Sequence, residues 1–284
     1  MTELEARTPA TSAKPPRPLV LLLALAGALA LVTGTASAAN DIVGGKDADQ
    51  PYPFTVSLHT AGGKLFCAGA LIAPTWLVTA AHCVDGKKPE VVTARVGSND
   101  SGQGGEPAQP AEFVVNPAFN PDKPEVPGGD IALVRLVNPV KTAPIPLGTV
   151  TAPGTATRLL GWGQTCPTLD CGKPPAVLQQ LDTHVVDAKG CVAPFDAKTE
   201  LCTENPGGKA GSCYGDSGGP EIAKDGERWL LLGLTSRPGN GDATCATGPS
   251  IYTSAVAYAP WIAEKTTPKP PPPGKPASPS GAGA

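Results

Sequence analysis

Gly215-Asp216-Ser217-Gly218-Gly219-Pro220 is the most informative stretch of this chain. Glycines surround one hydroxyl-bearing side chain. Glycine has no Cβ, so it permits tight turns and lets backbone N–H groups come close to a reacting carbonyl. A serine nucleophile with an oxyanion site built from amides needs both. Standing alone, the hexapeptide also suits an ordinary glycine-rich hairpin, so its meaning depends on the surrounding chain.

Outward from it, the chain stays dense in breakers. Glycine and proline number 34 each among 284 residues, roughly double their ordinary share. Within 42–265 they leave gaps of about four residues, enough for short strands and turns but for hardly any helix of ordinary length. With 40% hydrophobic residues and eight cysteines, that body is expected to be an all-β domain. Phe66–Ile72, Trp76–Thr79, Val91–Val96, Ile131–Val137, Leu178–Val186 and Trp229–Ser236 read as strands. The one good helix candidate is Ala259–Lys265, with Pro260 in its first turn.

At the N-terminus, the apolar run Leu19–Val32 follows Lys14 and Arg17 and precedes Ala36-Ser37-Ala38. This is the pattern of a secretory signal peptide over 1–38, cleaved after Ala38 or one residue later. The run is too short for a comfortable span, so no stable membrane anchor is expected. Export implies an oxidising environment, in which the even number of cysteines would form four disulfides. There is no zinc-like CxxC pair, and neither a metal nor a cofactor is expected. Residues 266–284 open on Thr266-Thr267-Pro268-Lys269 and a proline run, which reads as a Pro-rich disordered or polyproline II tail. With 22 basic against 25 acidic residues and no basic patch, nucleic acid is excluded as a partner. The pairs Asp100/Glu106 and Asp122/Glu125 lack the spacing of a calcium loop and read as solvated acids.

Two further patterns bear on chemistry. Val78-Thr79-Ala80-Ala81-His82-Cys83 ends an apolar run on a histidine given room by small alanines. A lone histidine there would more often be a satisfied core residue, so it gains weight only from company. Asp130-Ile131-Ala132-Leu133 opens a strand-like run on an acid. Beside a histidine, a largely buried carboxylate fixes the ring tautomer and stabilises the imidazolium, which makes Asp130 a candidate partner of His82.

Thr79–Cys83, Asp130–Leu133 and Gly215–Pro220, in that order, resemble the trypsin/chymotrypsin serine protease family. Ile42-Val43-Gly44-Gly45, Gly161-Trp162-Gly163, Ile251-Tyr252-Thr253 and the placing of Cys67 before Cys83 agree. The resemblance spans 42–265. It implies two six-stranded antiparallel β-barrels meeting near Ile145, with the active site between them and a short C-terminal helix. His82, Asp130 and Ser217 would be the catalytic residues of a serine endopeptidase, and the N–H groups of Gly215 and Ser217 its oxyanion hole. Ser236 would stand beside the triad acid. Residues 39–41 would be a short propeptide, whose removal frees the Ile42 ammonium to pair with Asp216. Asn40-Asp41 precedes that bond, so this zymogen would be opened by a protease unlike trypsin. The implied disulfides are Cys67–Cys83, Cys191–Cys202 and Cys213–Cys245, leaving Cys166 with Cys171.

In the family, the primary pocket has its floor six residues before the nucleophile, here Gly211. Without a buried carboxylate a substrate cation would be desolvated unpaired, so Gly211, Ser212, Tyr214, Ser236, Pro238 and Ser250 suit a neutral, apolar or small side chain rather than Arg or Lys. Two alternatives stay open: a loop acid such as Asp242 could restore trypsin-like specificity, and a protease-like fold could serve as a non-catalytic binding module. Expected partners are protein or peptide substrates and proteinaceous inhibitors, met by a secreted, extracellular monomer.

Overall fold

The computed structural model describes residues 42–123 and 126–267. The signal and propeptide segments, Glu125 and the tail from Pro268 lie outside the described residues. In the first half run strands β1 (Lys46–Asp47), β2 (Thr55–Thr60), β3 (Leu65–Ala73), β4 (Trp76–Thr79), β5 (Val92–Val96), β6 (Glu106–Ala108), β7 (Pro110–Val115) and β8 (Ala132–Leu136). The second half carries β9 (Ala156–Gly161), β10 (Gln179–Val186), β11 (Glu200–Thr203), β12 (Pro220–Asp225), β13 (Arg228–Pro238) and β14 (Ser250–Ser254). Among the described residues two α-helices, α1 (Ala81–Val84) and α2 (Ala259–Thr266), and three short 3-10 turns accompany the strands.

The strands form two antiparallel, barrel-like sheets. One has the order β6-β5-β2-β3-β4-β8-β7. Its β6 and β7 are one run of chain broken only at Gln109, pairing with β5 at one end and β8 at the other. The other runs β10-β11-β14-β13-β12-β9 and closes through the pairing of β9 with β10, while β1 adds to β10. Period-2 burial drives this: in β5, Val92, Ala94 and Val96 point inward and Thr93 outward.

Ile145 N–H donates to Leu71 O at 2.9 Å, and Leu147 bridges Leu231, so the chain passes from one sheet to the other there. Leu160, Trp162, Leu178 and Leu231 of the second half share one apolar cluster with Val56, Leu58, Leu71 and Leu133 of the first. Each such fully buried side chain contributes about 1.5–3 kcal/mol of transfer free energy. A smaller cluster of Ile42, Leu159, Leu181, Leu201 and Tyr252 fills the second barrel.

Four disulfides join Cys67 to Cys83, Cys166 to Cys171, Cys191 to Cys202 and Cys213 to Cys245. Three expectations need correction. α1, which carries His82, is a second helix, with four residues too short to leave a 3.6-residue period in sequence. α2 runs through Thr266, one residue into the stretch read as tail. β13 extends past the Trp229–Ser236 expected from the sequence, so that Arg237 and Pro238 end the strand. Among the described residues no helix is long and apolar enough to cross a membrane.

Candidate active site

His82 follows the end of β4, and Asp130 lies two residues before β8. Although 48 positions separate them, the register Thr79↔Ala132 brings both to the same end of neighbouring strands. His82 Nδ1–H donates to Asp130 Oδ2 at 2.9 Å and Oδ1 at 3.1 Å, and the His82 backbone N–H reaches Oδ1 at 3.0 Å. Ser236 Oγ–H donates to Oδ2 at 2.6 Å. That hydroxyl is aimed by a β-bulge: the β13–β14 register shifts between Thr235 and Arg237, leaving Ser236 out of the ladder. Burial alone would raise the Asp130 carboxyl, but the His82 and Ser236 hydrogen bonds and the nearby imidazole outweigh it and hold Asp130 below the usual carboxylate range. With the proton on Nδ1, Nε2 is left as the basic nitrogen.

Ser217 sits in the turn that leads into β12. The turn is tight, Asp216 N–H donating to Cys213 O and Gly219 N–H to Asp216 O. Two bonds seat it against the rest of the site: Ala68 N–H donates to Ser217 O and Gly218 N–H to Thr235 O, each at 2.8 Å. Gly218 has φ +74°, and a Cβ there would lie 2.6 Å from Ala68 O and 2.9 Å from Ala80 N. Only glycine lets this turn press onto β3 and the entry to α1. The N–H groups of Gly215 and Ser217 donate to no acceptor among the described residues. Ser217 Oγ and His82 Nε2 are not hydrogen-bonded to each other, and such contacts often tighten only with substrate bound.

Beside Ser217 opens a cavity of about 150 Å³, lined by Ser212, Tyr214, Ser236, Pro238, Asp242 and Ser250 among others. Gly211 stands behind this lining; a Cβ built on it would meet Ser250 Oγ at 3.6 Å and Ala246 Cα at 3.8 Å. Ser212 Oγ–H donates to Ser250 Oγ at 3.1 Å, and Tyr214 OH donates to Ala243 O at 2.6 Å. The Asp242 carboxylate accepts from Thr244 N–H at 2.8 Å and Thr247 Oγ1–H at 3.3 Å. Those bonds, the Thr244 amide first, hold Asp242 below its ordinary range. A second cavity of about 440 Å³ adjoins the first and is walled by His82, Asp130, Pro194, Arg237 and Pro238.

Asp216 is 1% exposed, and its carboxylate accepts Gly163 N–H at 2.7 Å and Cys213 N–H at 2.9 Å. Burial pushes this carboxyl up to about 7, and no cationic side chain among the described residues pairs with it. Ile42 is buried, and the next residue, Val43, accepts the Gly211 N–H at 2.9 Å. Cys67, His82 and Cys83 lie close enough to suggest a metal set, but both sulfurs are in a disulfide and offer no thiolate.

Neither Glu200 nor Arg237 stands out in the sequence. Arg237 forks onto Glu200, Nη1–H to Oε1 at 2.7 Å and Nη2–H to Oε2 at 3.0 Å. A charged residue directly after the serine that touches the acid was the available signal.

Two antiparallel β-barrels with an imidazole held by a buried carboxylate beside a glycine-flanked serine define a class, the two-barrel serine endopeptidases. The family follows from similarity. The family model described as Trypsin matches residues 42–262. A trypsin of Saccharopolyspora erythraea is 36% identical over 231 residues, covering 76% of this chain and 94% of that protein. Trypsin theta of Drosophila melanogaster is 32% identical over 264 residues, covering 86% and 96% respectively. A trypsin of Sarcophaga bullata is 32% identical over 237 residues, covering 79% and 88%. The chain belongs to the trypsin family.

Proposed function

We propose that the chain is exported to the extracellular space, loses residues 39–41, and then cleaves protein or peptide substrates after a neutral, apolar or small side chain. Ser217 Oγ attacks the scissile carbonyl while His82 Nε2 takes its proton and passes it to the leaving amine. Gly215 and Ser217 N–H hold the developing oxyanion, and a water then hydrolyses the acyl-enzyme. The observation that carries this reading is the setting of Asp130: three donors, two of them from His82, fix the ring with its basic nitrogen free. Activation joins the new Ile42 ammonium to Asp216, supported by the burial of both; a buried carboxylate without a cation is costly.

The primary specificity rests on Gly211, which leaves no carboxylate behind the cavity. A second reading, cleavage after Arg or Lys, is favoured by the presence of Asp242 in the cavity lining. Against it stands the spending of that carboxylate on its own loop.

A peptide library treated with protein that begins at Ile42 separates the readings. Preference for Phe, Tyr, Leu or Ala is expected, and a tenfold or greater preference for Arg or Lys, about 1.4 kcal/mol, would favour Asp242. A fluorophosphonate should label Ser217 of the same material; no labelling would favour a non-catalytic binding module. Mass spectrometry of the active form should find Ile42 first, and an active protein beginning at Ala39 or Asn40 would overturn the activation scheme.

A further inference from the structure

Glu200 opens β11, is fully buried, and gathers three segments of chain. It accepts Gly128 N–H at Oε1 and Asp196 N–H at Oε2, each at 3.0 Å, besides both arms of Arg237. Arg237 also donates to Pro194 O at 2.6 Å and Ser236 Oγ at 3.4 Å. Ser236 in turn donates to Asp130, and Asp130 lies two residues after Gly128. The contacts therefore form a closed circuit: Asp130, Ser236, Arg237, Glu200, Gly128 and back along the chain to Asp130. Gly128 and Gly129 both have positive φ, and the next amide, Gly129 N–H, is tied to Tyr258 OH at 2.7 Å.

A buried ion pair is weak evidence for stability, since apolar residues of similar volume often do as well. What hydrocarbon could not do here is bond the Gly128 amide and the Ser236 hydroxyl at once. From this circuit we infer that the Glu200–Arg237 pair is a positioning device for the triad acid, fixing Asp130 from its backbone side and its side-chain side together. The inference rests on the triad reading given above. Arg237 and Glu200 act through Asp130 and hydrogen-bond neither Ser217 nor His82.

The test uses the exported, processed protein. Removing Arg237 alone leaves a buried carboxylate unpaired and invites misfolding, so the primary variant is the double Glu200→Leu/Arg237→Met. Its kcat should fall roughly tenfold to a hundredfold with KM within about twofold, the signature of lost alignment rather than lost binding. Fluorophosphonate labelling of Ser217 should slow by the same factor. Arg237→Lys, which keeps the charge but loses the fork, should fall between the double variant and the parent, and it carries the test if the double variant does not fold. Unchanged kcat, or a rise in KM alone, overturns the inference and leaves Arg237 as a wall of the cleft. Failure of the parent protein itself to label would instead count against the triad reading, so the two failures are distinguishable.

Discussion

Gly211 has extended or right-handed backbone geometry available to any residue, and a Cβ there would make ordinary contacts of 3.6–3.8 Å with Ser250 and Ala246. Gly211→Asp should therefore fold and place a carboxylate behind the cavity. Cleavage after Arg or Lys is expected to rise at least tenfold relative to Leu, about 1.4 kcal/mol, as read from kcat/KM on paired peptides. No change would mean that the floor of the pocket lies elsewhere. Residues of this kind were legible because each sits in a short motif whose chemistry is local: the serine among glycines, the histidine after alanines, the acid before an apolar run. Glu200 and Arg237 were not, because their meaning comes from strand pairing. Nothing near Glu200 in sequence says that it will be buried against Gly128, 72 positions earlier.

Among elements, the turn that carries Ser217 depends most on a single atom's absence. Gly218→Ala would add a strained φ and drive Cβ into Ala68 O, so a fall in Tm is expected together with a loss of activity; an active, fully stable variant would mean the turn can retreat from β3. The disulfides differ by loop length. Opening Cys166–Cys171, which closes five positions, should cost about 2 kcal/mol, and opening Cys213–Cys245, which closes 32, about 4 kcal/mol. Denaturant titration of the paired serine variants compares them, and equal losses would argue that native contacts rather than chain entropy set the effect. Strand cores were readable from turn punctuation, Trp76–Thr79 to the residue. α1 was not, since one turn of helix has no period to detect, and the break at Gln109 that lets β6 and β7 serve two partners leaves no mark in composition.

At the scale of the whole molecule, buried acids set the response to pH. Asp216 and Glu221 are both buried, and burial pushes each carboxyl up to about 7. A folded-state pKa above the unfolded value favours the protonated acid, so the stability it lends is full below about pH 4 and is lost as pH rises towards 7. An uncleaved Ser217→Ala chain should accordingly lose Tm across that window. The freed Ile42 ammonium would reverse the sign for Asp216, so the processed form should lose less; parallel curves would argue against that pairing. The apolar cluster shared by the two sheets has a different consequence, one for folding rather than catalysis. With Leu71 and Leu231 in the same cluster, neither half can lose its interior without opening the other's. Calorimetry should accordingly record one cooperative transition, and amide protons of β3 and β13 should exchange only through the same global opening.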